Sequence, residues 1–232
     1  MTKKAAVKSS AASSRKPSSA RPSRNDSDLA TTRAAQTASV GVVEHGNSAV
    51  LVTLAQGGEF LDRRRIDLTR DLPTHPYHHE GSWAVGRYID SPWARPTSLP
   101  DAVALVERVH AAAANGARVA LEALAAALPV PVASISLRVC AQLPATIEAR
   151  IADTRAATVA DSIMYREALA NAARARGWSV YWYEREQVFH DATRALRRDF
   201  EDFSSALGRS LGPPWQAKHK LAAAAALAAM LS

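Results

Sequence analysis

Residues 39–68 read SVGVVEHGNSAVLVTLAQGGEFLDRRRIDL, and this stretch decides the fold. Val40 to Glu44, Ala49 to Leu54 and Glu59 to Leu68 are rich in β-branched and apolar residues, as strands are. Between them stand His45-Gly46-Asn47 and Gln56-Gly57-Gly58, turn chemistry of hairpin length. The pattern predicts a three-stranded antiparallel meander.

Working outward, residues 1–38 are Ser, Ala, Lys, Arg and Pro with almost no bulky apolar side chain. Such a segment buries too little surface to offset chain entropy, so a disordered basic tail is expected. The formal charge of +7 is concentrated there. Residues 1–38 carry +6, from Lys3, Lys4, Lys8, Arg15, Lys16, Arg21, Arg24 and Arg33 against Asp26 and Asp28, and residues 39–232 carry +1. The basic character of the whole chain therefore does not imply a basic groove in its folded part.

On the other side of the meander, residues 69–99 hold prolines, histidines and tryptophans without a clean period, and read as a long surface excursion. Leu99-Pro100-Asp101 opens a helix, with Val103, Val106, Val109 and Ala113 at helical spacing. That helix is expected to end near Asn115-Gly116, with a second one from Val119 to Leu128. Val132 to Val139 predicts a strand, about Ala156 to Arg176 a helix ended by Gly177, and Trp178 to Glu184 an aromatic strand. In that strand Trp178, Val180 and Trp182 alternate with Ser179, Tyr181 and Tyr183, the pattern of a central strand covered on both faces, although stacking on nucleic-acid bases would use the same rings. Residues 186–207 carry one or two helical turns, and residues 216–231 an alanine-rich helix after Gly212-Pro213-Pro214-Trp215.

Together these elements give an α/β fold of residues 39–232: a mixed sheet that starts as an antiparallel meander and continues through strand–helix crossovers. That is the element order of the ribonuclease-H-like fold. Three stretches are similar to Holliday-junction resolvases of the RuvC type: Glu44-His45-Gly46-Asn47-Ser48, then Tyr165-Arg166-Glu167-Ala168-Leu169 with Gly177-Trp178-Ser179-Val180 and Glu184-Arg185-Glu186, and finally Lys218-His219-Lys220-Leu221-Ala222. The resemblance implies that Glu44 stands where the family has its first catalytic acid. It also implies phosphodiester hydrolysis by two Mg²⁺ ions clamped between carboxylates of the first strand, the fourth strand and the last helix.

The other acids are missing. The fourth strand offers Ser134, Ser136 and Arg138, and the last helix begins with Lys218-His219-Lys220. One carboxylate surrounded by cations does not hold two Mg²⁺, so a degenerate site is expected, with no cofactor unless the nuclease chemistry survives. Lys218, His219 and Lys220 sit in a first helical turn, where cations are unfavourable and an anion would compensate them. With Arg166 and Arg185 they are the candidate phosphate or nucleic-acid ligands. Glu44 is expected within ion-pair reach of Lys218 or His219. Asp161 and Glu186 are polar residues of the same helix and strand, either lining this cleft or forming surface salt bridges.

The expected function is nucleic-acid binding or processing, the alternative a non-catalytic interaction or scaffold protein on the same fold. His75, His78, His79 and Glu80 have zinc-ligand chemistry but no second ligand pair, and are read as a loop, with no metal site assigned. Cys140, the single cysteine, is expected to be a buried thiol. The longest uncharged apolar stretch, Leu221 to Leu231, is too short to span a bilayer, and a cytoplasmic protein is expected.

Overall fold

Strand β1 (Ala38–His45) reverses through Gly46-Asn47 into β2 (Ser48–Ala55), paired antiparallel from Ala38 opposite Ala55 to His45 opposite Ser48. Gly46 takes φ +55°, a conformation that a Cβ would strain. A second reversal over Gln56–Gly58 leads to β3 (Phe60–Asp67), antiparallel to β2. The meander thus forms where its turn residues place it. The computed structural model describes residues 36–77 and 97–231; residues 1–35 of the expected tail and residues 78–96 of the excursion lie outside the described residues, while Ala38, placed in the tail by its composition, is a buried residue that opens β1.

Helix α1 (Leu99–Ala127) starts on a Ser98 cap, whose hydroxyl accepts from the Asp101 N–H, and has Pro100 in its first turn. It does not end at Asn115-Gly116. A Cβ on Gly116 would lie 2.1 Å from the Leu68 carbonyl oxygen, so this glycine serves a close approach of the chain leaving β3 and not a helix terminus. Strand β4 (Val132–Arg138) pairs parallel with β1, and α2 (Ile147–Ala152) and α3 (Thr154–Ala175) lead to β5 (Ser179–Tyr183), parallel to β4. Residues 188–211 are two full helices, α4 (Val188–Leu196) and α5 (Phe200–Leu211), more helix than the mixed charge suggested, and α6 (Ala217–Ala228) closes the fold.

The strand order is β3-β2-β1-β4-β5, a mixed five-stranded sheet of ribonuclease-H-like topology. Its central strands are buried on both faces. Val40, Val42, Leu51, Ile135 and Leu137 pack under α1 and α3, while Val52, Leu54 and Tyr183 pack with α4, α5 and α6. Strand β5 lies at the edge of this sheet, not at its centre, so Val180, Tyr181 and Trp182 are only half buried. They still pack against the two cores, as side chains and not as an open stacking surface.

Helix α6 approaches β1 more closely than ordinary side chains permit. Ala222 to Ala228 are all buried, and a Cβ on Gly41 would stand 1.8 Å from the Ala222 carbonyl oxygen. The alanine run and one glycine bring the start of α6 beside the end of β1. Among the described residues, no helix is long and apolar enough to cross a membrane.

Candidate functional site

The end of β1 and the first turn of α6 border one cleft of about 530 Å³, lined by Glu44, His45, Val50, Arg65 and Lys218 among others. The two ends meet as the sequence implies, but the ion pair between them is not the expected one. Glu44 Oε1 accepts from Arg166 Nη2 at 2.6 Å, and Arg166 Nη1 donates to the Val139 carbonyl at 3.0 Å. The two side chains are only 10% and 9% exposed, so this is a buried pair. Burial works against the charged guanidinium, but the hydrogen bond and the charge of Glu44 outweigh it, and Arg166 titrates above its ordinary value. Arg166 therefore cross-links the ends of β1 and β4 from α3.

Cys140 is only partly buried, a correction to the buried thiol expected. It lies beside the same guanidinium, and burial pushes its thiol up despite the cation.

The other candidates separate. Lys218 is exposed, lines the cleft, and has no carboxylate within ion-pair reach among the described residues. His219 is buried: its Nδ1 accepts from the Gln216 N–H at 3.0 Å in a reciprocal cap of α6, and its ring stacks on Trp215 at 5.9 Å. Lys220 Nζ donates to Glu201 at 3.0 Å, away from Glu44. Arg185 is exposed in the turn after β5. Its charge and that of Arg138, at the end of β4, act on the buried phenol of Tyr183, which burial pushes well above its ordinary value and which donates to the Val42 carbonyl at 3.1 Å. Asp161 is not a cleft residue in this arrangement. It accepts from the Tyr77 N–H at 3.0 Å and stands 3.6 Å from His75, while Tyr165 donates to the Thr74 carbonyl at 3.0 Å. Residues 74–77 are thereby held to α3, and Tyr77 is buried, which corrects the reading of this segment as surface loop. His78, His79 and Glu80 lie outside the described residues.

The donor set does not fit a pair of Mg²⁺ ions. The Glu44 carboxylate already answers a guanidinium, and Arg138 and Lys218 place cations at the end of β4 and the start of α6. Among the described residues no three His, Cys, Asp or Glu side chains are grouped to hold a metal ion.

The His219 geometry has a pH consequence. Burial lowers its pKa first, and the charges of Arg63 and Lys218 lower it further. The unfolded chain then binds more protons than the folded one in the window below the ordinary histidine value of about 6.5. Stability from this group is complete above that value and declines as the pH falls below it. Urea midpoints of the wild type should drop between about pH 6.5 and 5 more than those of His219→Gln, which keeps a side-chain acceptor; parallel curves would contradict this reading.

No protein-family model matches the chain, and no curated protein matches it. Among solved structures, the chain is similar to T. thermophilus RuvC in complex with Holliday junction substrate, with 14% identity, a TM-score of 0.41, and 83% of this chain and 91% of that chain covered.

Proposed function

We propose that this protein binds nucleic acid through the cleft between β1 and α6, as a RuvC-like variant of the ribonuclease-H-like fold that has lost metal-dependent cleavage. The supporting observation is the charge of the cleft: its acid, Glu44, is paired with Arg166 and its Arg65 with Asp67, which leaves Lys218 lining it as a cation with no carboxylate within ion-pair reach among the described residues. A cleft of that sign attracts phosphate, and Arg138 and Arg185 extend it along the ends of β4 and β5. Arg166 takes the role of a structural tie in this reading, not of a phosphate ligand. Glu44 holds that tie and does no chemistry.

The test is anisotropy of labelled single-stranded, duplex and four-way-branched DNA across a salt series. The full chain, a chain beginning at Gln36, and Lys218→Glu and Arg138→Glu variants are compared. Binding should survive removal of residues 1–35 and weaken in both variants, and neither Mg²⁺ nor Mn²⁺ should produce cleavage. Binding that disappears with the tail would reduce the protein to an electrostatic arm. Metal-dependent turnover abolished by Glu44→Gln would restore the nuclease.

A further inference from the structure

Alternation along β3 puts Arg63 and Arg65 on one face of the sheet, since they stand opposite Val52 and Val50. Val52 belongs to the core beneath α6, so both arginines share the face on which α6 lies. Arg65 lines the cleft already described, with Lys218. Arg63 reaches further along, donating to the Gly212 carbonyl at 3.2 Å and the Pro214 carbonyl at 2.7 Å. Gly212 lines a second cleft of about 600 Å³ with Arg209, Pro213, Trp215 and Lys220.

The first turn of α6 divides the two clefts. Lys218 and Lys220 are two residues apart, about 200° around a helix, so one faces each side. Between them His219 feels both Arg63 and Lys218, so these cations lie close enough for their fields to add. Two nearby acids each offset one cation, Glu201 pairing with Lys220 at 3.0 Å and Asp67 with Arg65 at 3.2 Å, so that the surface relies on the cations outside these pairs. Arg209 is exposed and, among the described residues, has no carboxylate within ion-pair reach.

We infer that the second cleft is a further phosphate-contacting surface, with one nucleic-acid backbone running from Lys218 past Arg63 to Arg209. This rests on the nucleic-acid reading above and names the path of the ligand. The contact is made by charge and not by stacking, because the Trp215 ring is already engaged. His219 stacks on it, and a Cβ on Gly208 would lie 2.4 Å from its Cδ1. The surface is therefore indifferent to base sequence.

The experiment uses the full chain and a fluorescein-labelled DNA duplex, with affinity measured across an NaCl series for the wild type, Arg209→Gln, Lys218→Gln and Arg108→Gln. Arg108 is exposed on α1, under the other face of the sheet, and serves as the control. Removing one cation that neutralises a phosphate should make the plot of log affinity against log salt shallower by about 0.9. Arg209→Gln and Lys218→Gln should each show that change, and Arg108→Gln none. An Arg209→Gln slope equal to that of Arg108→Gln, beside a shallower Lys218→Gln, would overturn the second surface while the cleft reading stood. A wild type that binds no duplex even at low salt would overturn both.

Discussion

Arg166→Ala should lower the stability of the fold by about 3–5 kcal/mol, the cost of leaving a buried charge without its partner. Glu44 would then keep a carboxylate that is only 10% exposed, with its 2.6 Å donor gone, and the Val139 carbonyl would be deprived of its 3.0 Å donor as well. Arg166→Lys should recover only part of the loss, because an ammonium does not present the planar fork that reaches both acceptors. The informative partner is the double variant Glu44→Gln/Arg166→Met. Replacing both charges with uncharged groups of similar volume removes the desolvation problem, and its urea midpoint should return close to the wild type. Glu44→Gln alone should be destabilising, as expected of a structural acid and not of a catalytic one. A wild-type midpoint for Arg166→Ala would mean that Glu44 is solvated when alone, and would remove the tie.

The second large effect is expected at Gly41. Gly41→Ala adds one methyl group, whose carbon would stand 1.8 Å from the Ala222 carbonyl oxygen and 2.5 Å from the Ala226 backbone nitrogen. Neither atom belongs to a side chain that can rotate away, so α6 itself must shift from β1. Overpacking of a core costs about 1–3 kcal/mol when side chains absorb it, and this substitution should reach or exceed the upper end. Movement of α6 would also displace Lys218, so the variant that remains folded should bind nucleic acid more weakly. Urea denaturation with far- and near-ultraviolet circular dichroism checks the first point. A change within about ±0.5 kcal/mol, that of an ordinary surface substitution, would show that α6 does not dock against β1 at this glycine.

Much of the fold is readable because its signals are local. Gly46-Asn47 and Gln56-Gly57-Gly58 impose their reversals through their own backbone freedom, and Pro100 and Gly177 mark helix ends by chemistry confined to a few residues. The apolar side chains of residues 40–54 declare strands, and the order of elements then leaves few ways to arrange the sheet. Of the candidate site, the meeting of Glu44 and Lys218 at one cleft follows from that order.

The sequence by itself therefore determined the meander, the strands and most of the helix starts, since each depends on residue type within a short window. Tertiary structure alone decided which partner each long-range group took. Arg166 is 122 residues from Glu44, and its side chain became a tie rather than a phosphate ligand only because α3 passes over the ends of β1 and β4. Gly116 carries the same glycine signal as a helix end, but Leu68 presses its backbone against α1 there, and the helix continues. The aromatic strand β5 is half exposed because no sixth strand pairs beyond it among the described residues, a fact of the sheet's edge that its own alternation does not contain. In each case the deciding contact joins residues far apart along the chain, and its energy depends on geometry that exists only once the helices are packed on the sheet.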